Sequence, residues 1–137
     1  MVIASVFSGC SVATVFVLFN NTEKTVRVYN GAKWLVLQPK KSQTFSGGIS
    51  QEITFIIDAG VGAKGYNIFE TRIPGKLVSS ENRHPSLYLQ LESSGAIYVT
   101  TPKPNFPVLE FPDQPHGFPL VPKNGKFEKS GWTSQPG

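Results

Sequence analysis

No window of this chain holds apolar residues at the 3.6-residue spacing of an amphipathic helix long enough to build one. Alternation recurs instead. Leu87, Leu89 and Leu91 fall on one face of an extended segment, with Tyr88, Gln90 and Glu92 on the other. Val26 and Val28 oppose Thr25, Arg27 and Tyr29 in the same way. Period two sends successive side chains to opposite faces of a sheet, so the chain is confined to strands and turns. The charged share is 16%, below the roughly 25% of ordinary soluble domains. Few charges and many Val, Ile, Phe and Thr favour half-buried strands over solvated helices.

Strands are expected at residues 12–19, 25–29, 34–38, 43–46, 52–57, 66–73, 87–92 and 96–101. Residues 12–19 are apolar on both faces, as a central strand requires. Asn20 to Lys24 form a polar turn, Asn30-Gly31 is a hairpin signal, and Pro39 to Ser42 turn the chain again. Gly60, Gly62 and Gly65 read as a flexible loop over 58–65, and the polar run 77–85 as an exposed connection. Ser93-Ser94-Gly95 closes a hairpin over 86–101. About seven or eight short strands at this spacing predict an all-β, antiparallel β-sandwich in one domain, with a small barrel as the alternative.

Composition shifts at Pro102, and from it onward lie eight of the 11 prolines. Each fixes φ and removes a donor, which excludes helix and central strand and leaves an extended path. Phe106, Val108, Leu109, Phe111, Phe118, Leu120 and Val121 interleave with them. The expected organisation is a signal-like N-terminus at 1–11, the sandwich at 12–101, a Pro/Phe-rich strap at 102–122 laid on the sheet, and a solvated tail at 123–137.

The opening half resembles the immunoglobulin-like sandwiches of exported bacterial proteins: Phe19-Asn20-Asn21-Thr22, then Val26 to Tyr29, then Leu35 to Phe45. Val6-Phe7-Ser8-Gly9-Cys10 resembles the lipobox of bacterial lipoproteins, with Phe7 where leucine is usual and no basic residue before it. The resemblance implies removal of residues 1–9, lipidation of Cys10 and a membrane tether. A leader beginning upstream of Met1 would supply the missing basic start. The other reading of Cys10 is a small buried hydrophobe in a strand.

Catalytic chemistry is not legible. His84 and His116 read as solvated loop residues without metal spacing. Glu52, Asp58 and Glu70 share no informative spacing, and the glycines at 60–65 precede a strand, not the helix a dinucleotide loop needs. One cysteine excludes an internal disulfide, and no cofactor or metal site is expected. The formal net charge is +4, but the basic residues do not cluster beyond Lys40-Lys41 and Lys123, Lys126 and Lys129. Nucleic acid is accordingly a secondary expectation. It would use Tyr29, Tyr66, Tyr88 and Tyr98 as stacking faces bordered by Lys33, Lys64 and Arg72. Asn20-Asn21-Thr22 is a formal glycosylation sequon.

The leading expectation is a non-catalytic protein-binding or structural module of a bacterial envelope, lipid-anchored through Cys10. Phe106, Phe111 and Phe118 are its candidate contact residues for a protein partner. The alternatives are a cytoplasmic barrel for single-stranded nucleic acid or glycan, and an inhibitor of a cell-wall hydrolase. The last rests on Ser94-Gly95-Ala96-Ile97-Tyr98, which resembles the Ser-Gly-x-x-Tyr loop of periplasmic lysozyme inhibitors.

Overall fold

A computed structural model describes residues 15–29, 33–46, 52–60, 63–69, 74–79, 85–128 and 131–134. Eleven strands form among them: β1 (Val15–Asn21), β2 (Val26–Tyr29), β3 (Trp34–Leu37), β4 (Ser42–Ser46), β5 (Glu52–Asp58), β6 (Ala63–Phe69), β7 (Val78–Ser79), β8 (Ser86–Glu92), β9 (Ile97–Val99), β10 (Lys123–Glu128) and β11 (Gly131–Ser134). A 3-10 turn covers Gly75–Leu77. The fold is all-β, as the alternation requires. No helix among the described residues is long and apolar enough to cross a membrane.

Two sheets pack as a sandwich. The first runs β4-β1-β8-β7, with β9 also on β8; the second runs β11-β10-β6-β5-β2-β3. Eight of the nine strand pairings are antiparallel, and the ninth, β1 with β8, is parallel over Val15↔Ser86 to Asn21↔Glu92. The core lies between the sheets. Phe16, Leu18, Leu87, Leu89, Leu91, Ile97 and Val99 enter it from the first sheet; Val26, Val28, Leu37, Ile57 and Tyr66 enter from the second. Leu18 and Leu89 are wholly buried, and a side chain of that kind stabilises by about 1.5–3 kcal/mol when removed from water.

Asn20 explains why the polar turn after β1 holds one shape. Its side-chain amide donates to the carbonyls of Lys24 (2.8 Å) and Leu37 (3.1 Å). Its Oδ1 accepts from the Thr22 N–H (3.1 Å) and the Thr22 hydroxyl (2.6 Å). The residue is fully buried, so its amide nitrogen is closed to a glycosylating enzyme in the folded chain.

Three expectations are corrected. Within the stretch 58–65, both described ends belong to the ladder: Ala63, Lys64 and Gly65 pair with Asp58, Ile57 and Ile56. The turn closes where Asp58 Oδ1 accepts the Gly60 N–H at 2.8 Å, with Gly60 at φ +92°, a left-handed conformation that glycine adopts without a Cβ clash. The run 77–85 is not an exposed connection at its start. Leu77 is buried in the core and β7 pairs with β8. The described part of the tail is not irregular either: β10 and β11 form a hairpin, and Lys123 and Asn124 pair with Gly65 and Lys64 of β6.

Candidate functional site

Alternation on the first sheet leaves Phe19 of β1, Gln90 of β8 and Tyr98 of β9 on the face turned away from the core. An uncovered face of that kind would expose two aromatic rings. The segment 102–122 covers it, with the prolines keeping it extended enough to cross several strands. Phe106 stacks on Phe19 with ring centroids 4.7 Å apart and planes 7° from parallel. Phe111 stacks on Tyr98 at 4.2 Å and 5°. Stacked pairs contribute about 0.5–1.5 kcal/mol beyond their buried area.

Between the two stacks the strap is held by a glutamine. The Val108 N–H donates to Gln90 Oε1 at 2.9 Å, and Gln90 Nε2 donates to the Val108 carbonyl at 3.1 Å. A side-chain amide thus takes the place of a neighbouring strand's peptide. Gln90 is wholly buried, and its Nε2 also donates to Glu92 Oε2 at 2.6 Å. Asn21 Nδ2 donates to both Glu92 oxygens (3.2 and 3.0 Å), and Lys40 Nζ donates to Asn21 Oδ1 at 2.8 Å. This polar chain satisfies the buried groups that would otherwise destabilise the layer.

The device repeats at the sheet edge. The Val99 N–H donates to Gln114 Oε1 at 2.9 Å, and Gln114 Nε2 donates to the Val99 carbonyl at 2.9 Å and the Pro112 carbonyl at 3.0 Å. Leu120 and Ile97 exchange both backbone bonds, at 3.0 and 2.8 Å. The outer edge of β9 is therefore closed by a surrogate strand, which removes an exposed pairing edge. Between these clamps the Phe118 N–H donates to the Pro115 carbonyl at 2.9 Å, and the chain drops Phe118 and Leu120 into the core.

The expected contact residues thus separate. Phe118, at 9% exposure, belongs to the core cluster and offers no contact surface. Phe106 and Phe111 are half-buried, each with one ring face spent on the body. Cys10, the lipidation candidate, lies outside the described residues, as do His84, Glu70 and Arg72. The large apolar residue that the strap exposes most is Leu109, 93% exposed beside the clamped Val108. Val121 and Val36 are also exposed. Proline spacing points to an extended path but carries no sign of which apolar side chain ends outside.

The remaining candidates do not converge. Asp58 pairs with Arg27 at 2.7 Å, and that guanidinium lies 4.9 Å from the Trp34 ring centroid. An exposed pair of this type is worth about 0–1 kcal/mol. His116 is exposed in a turn. Among the described residues no three His, Cys, Asp or Glu side chains stand together as metal ligands would. Of the four tyrosines, Tyr66 is buried and Tyr98 is covered by Phe111, so the expected row of outward stacking faces is not formed.

Tyr66 instead ties the sheets together. Its hydroxyl donates to the Gly95 carbonyl at 2.8 Å, in the turn between β8 and β9. That turn is the segment likened to a lysozyme-inhibitor loop. Its shape follows from local bonds, Gly95 N–H to the Glu92 carbonyl and Glu92 N–H to the Ala96 carbonyl, with Gly95 at φ +94°. Burial pushes the Tyr66 phenol up to about 12. The neutral phenol is the folded form, so its contribution is complete below the unfolded value near 10. It is lost as pH rises from there toward 12, by on the order of 2 kcal/mol. Urea midpoints measured across that interval are expected to fall more steeply for the wild type than for Tyr66→Phe; parallel declines would contradict the assignment.

Comparison with protein-family models, curated proteins and solved structures returns no match.

Proposed function

We infer that the chain is a non-catalytic protein-binding module of a bacterial cell envelope, with the strap as its contact surface and Cys10 as its lipid anchor. The observation that carries the binding part is the presentation of Leu109. Its neighbours on both sides are fixed, through Phe106 on β1, Val108 on β8 and Phe111 on β9, while its own side chain is in water. Ordering a contact loop before binding removes an entropic cost that association would otherwise carry.

Charge narrows the partner. Residues 104–122 contain Glu110 and Asp113 and no Lys or Arg, in a chain of net charge +4. An apolar pocket with a basic rim complements this tip. The anchor reading draws on Val6 to Cys10 alone.

Two measurements on protein from its native host test the two parts. The intact mass is expected to show a diacylglyceryl-type addition on Cys10 and partitioning into detergent; an unmodified mass would remove the anchor. A photo-crosslinking residue at position 109 is expected to trap one envelope protein that the same residue at Lys103 does not. Equal labelling from both positions would remove the contact surface.

A further inference from the structure

We propose that the Leu109–Glu110 peptide bond is a substrate-like bait for a serine endopeptidase with an apolar primary pocket, so that the chain acts as an inhibitor of such an enzyme. The proposal rests on the protein-binding reading above and names the class of partner.

A substrate-like inhibitor needs an exposed side chain to fill the enzyme's primary pocket, a main chain already ordered beside it, and a body that keeps both halves in place if the bond is cut. Leu109 provides the first, at 93% exposure, and pockets of this kind select the residue before the scissile bond. The second comes from Gln90, which takes both backbone groups of Val108, the residue just before Leu109. Pro107 and Pro112 further restrict the path on either side. Pro107 also lacks an N–H, so one main-chain donor open to other extended ligands is missing, and recognition falls more heavily on the Leu109 side chain.

The third requirement is the most specific. On the N-terminal side of the bond the chain is held by the Phe106–Phe19 stack and the Gln90 clamp. On the C-terminal side it is held by the Phe111–Tyr98 stack and the Gln114 clamp on Val99. When the enzyme's serine attacks, its oxygen forms an ester to the Leu109 carbonyl carbon. The C–N bond to Glu110 breaks, and the serine's proton leaves on the Glu110 amine. That amine is tethered nearby, so it attacks the ester, re-forms the peptide bond and returns the proton to the serine. A held amine competes with water through its high effective concentration, and turnover stalls.

The test uses the intact chain against chymotrypsin and subtilisin, with a chromogenic peptide reporting the remaining activity. Slowed hydrolysis by at least one enzyme is expected at micromolar chain, with Leu109→Asp weaker by about 100-fold or more, as for a buried interface anchor. Position 109 is solvent-exposed, so that variant leaves folding intact. Mass spectrometry should find any cut at Leu109–Glu110, and Gln90→Leu should be cut there faster than the wild type. Full activity of both enzymes, equal inhibition by Leu109→Asp, or a first cut elsewhere would overturn the proposal. A partner trapped from position 109 while both peptidases stay uninhibited would sink the peptidase assignment and leave the binding reading standing.

Discussion

Phe118→Ala is expected to lower the free energy of unfolding by about 3–5 kcal/mol, the cost of emptying a buried phenylalanine site. The ring sits in the core cluster with Leu120 as its near neighbour in the chain. Its loss leaves a cavity and loosens the point where the strap enters the body. Phe111→Ala removes a half-buried ring with one stacked face, so it should cost much less, closer to the about 0.5–1.5 kcal/mol of a stacked pair plus partial burial. Urea denaturation of the two variants decides the point. Comparable costs would mean that Phe118 is not the anchor described. A partner-binding defect in Phe118→Ala would then have to be read through its folded fraction.

Gln90→Leu is expected to cost about 2–4 kcal/mol, because it leaves a buried donor and acceptor of Val108 unpaired and each unmet group costs about 1–3 kcal/mol. Glu92 loses a donor as well. The loss is local in origin, and native-state hydrogen exchange should show it. The Val108 amide should exchange much faster, while amides of β1 and β8 speed up only as much as the loss of global stability dictates. Retained protection at Val108 would show that the stacks hold the strap without the amide clamp.

Much of this architecture is written in local pattern, and the parts that are not have a common cause. Alternation located β2, β5 and β8, and a run apolar on both faces located β1, each to within a few residues. The doubly apolar β1 does lie between two neighbours, β4 and β8. Gln90 reads as an outward polar residue, and it does point outward. Its full burial depends on a peptide 18 residues further along, which no local window contains. Phe106 and Phe118 stand in the same Phe-Pro dipeptide, yet one lies on the outer face and the other enters the core. Composition hid β10 and the start of β6, where Lys123 and Asn124 face Gly65 and Lys64; lysine and glycine look like loop until a partner strand is known. Leu109 was legible as one apolar residue among seven in the strap, but its exposure is decided by where the two glutamine clamps fall.

The parallel pairing of β1 with β8 sets an order of events during synthesis. Asn21 and Glu92, partners in that pairing, are 71 residues apart in the chain, so the first strand emerges from the ribosome long before one of its two neighbours exists. β4 can zip onto it early, but the other flank waits, with Phe16 and Leu18 lacking the leucines of β8 beside them. Contacts that close so long a loop form late. Nascent chains halted short of β8 should therefore gather on chaperones or in inclusion bodies, and those released just beyond it should not.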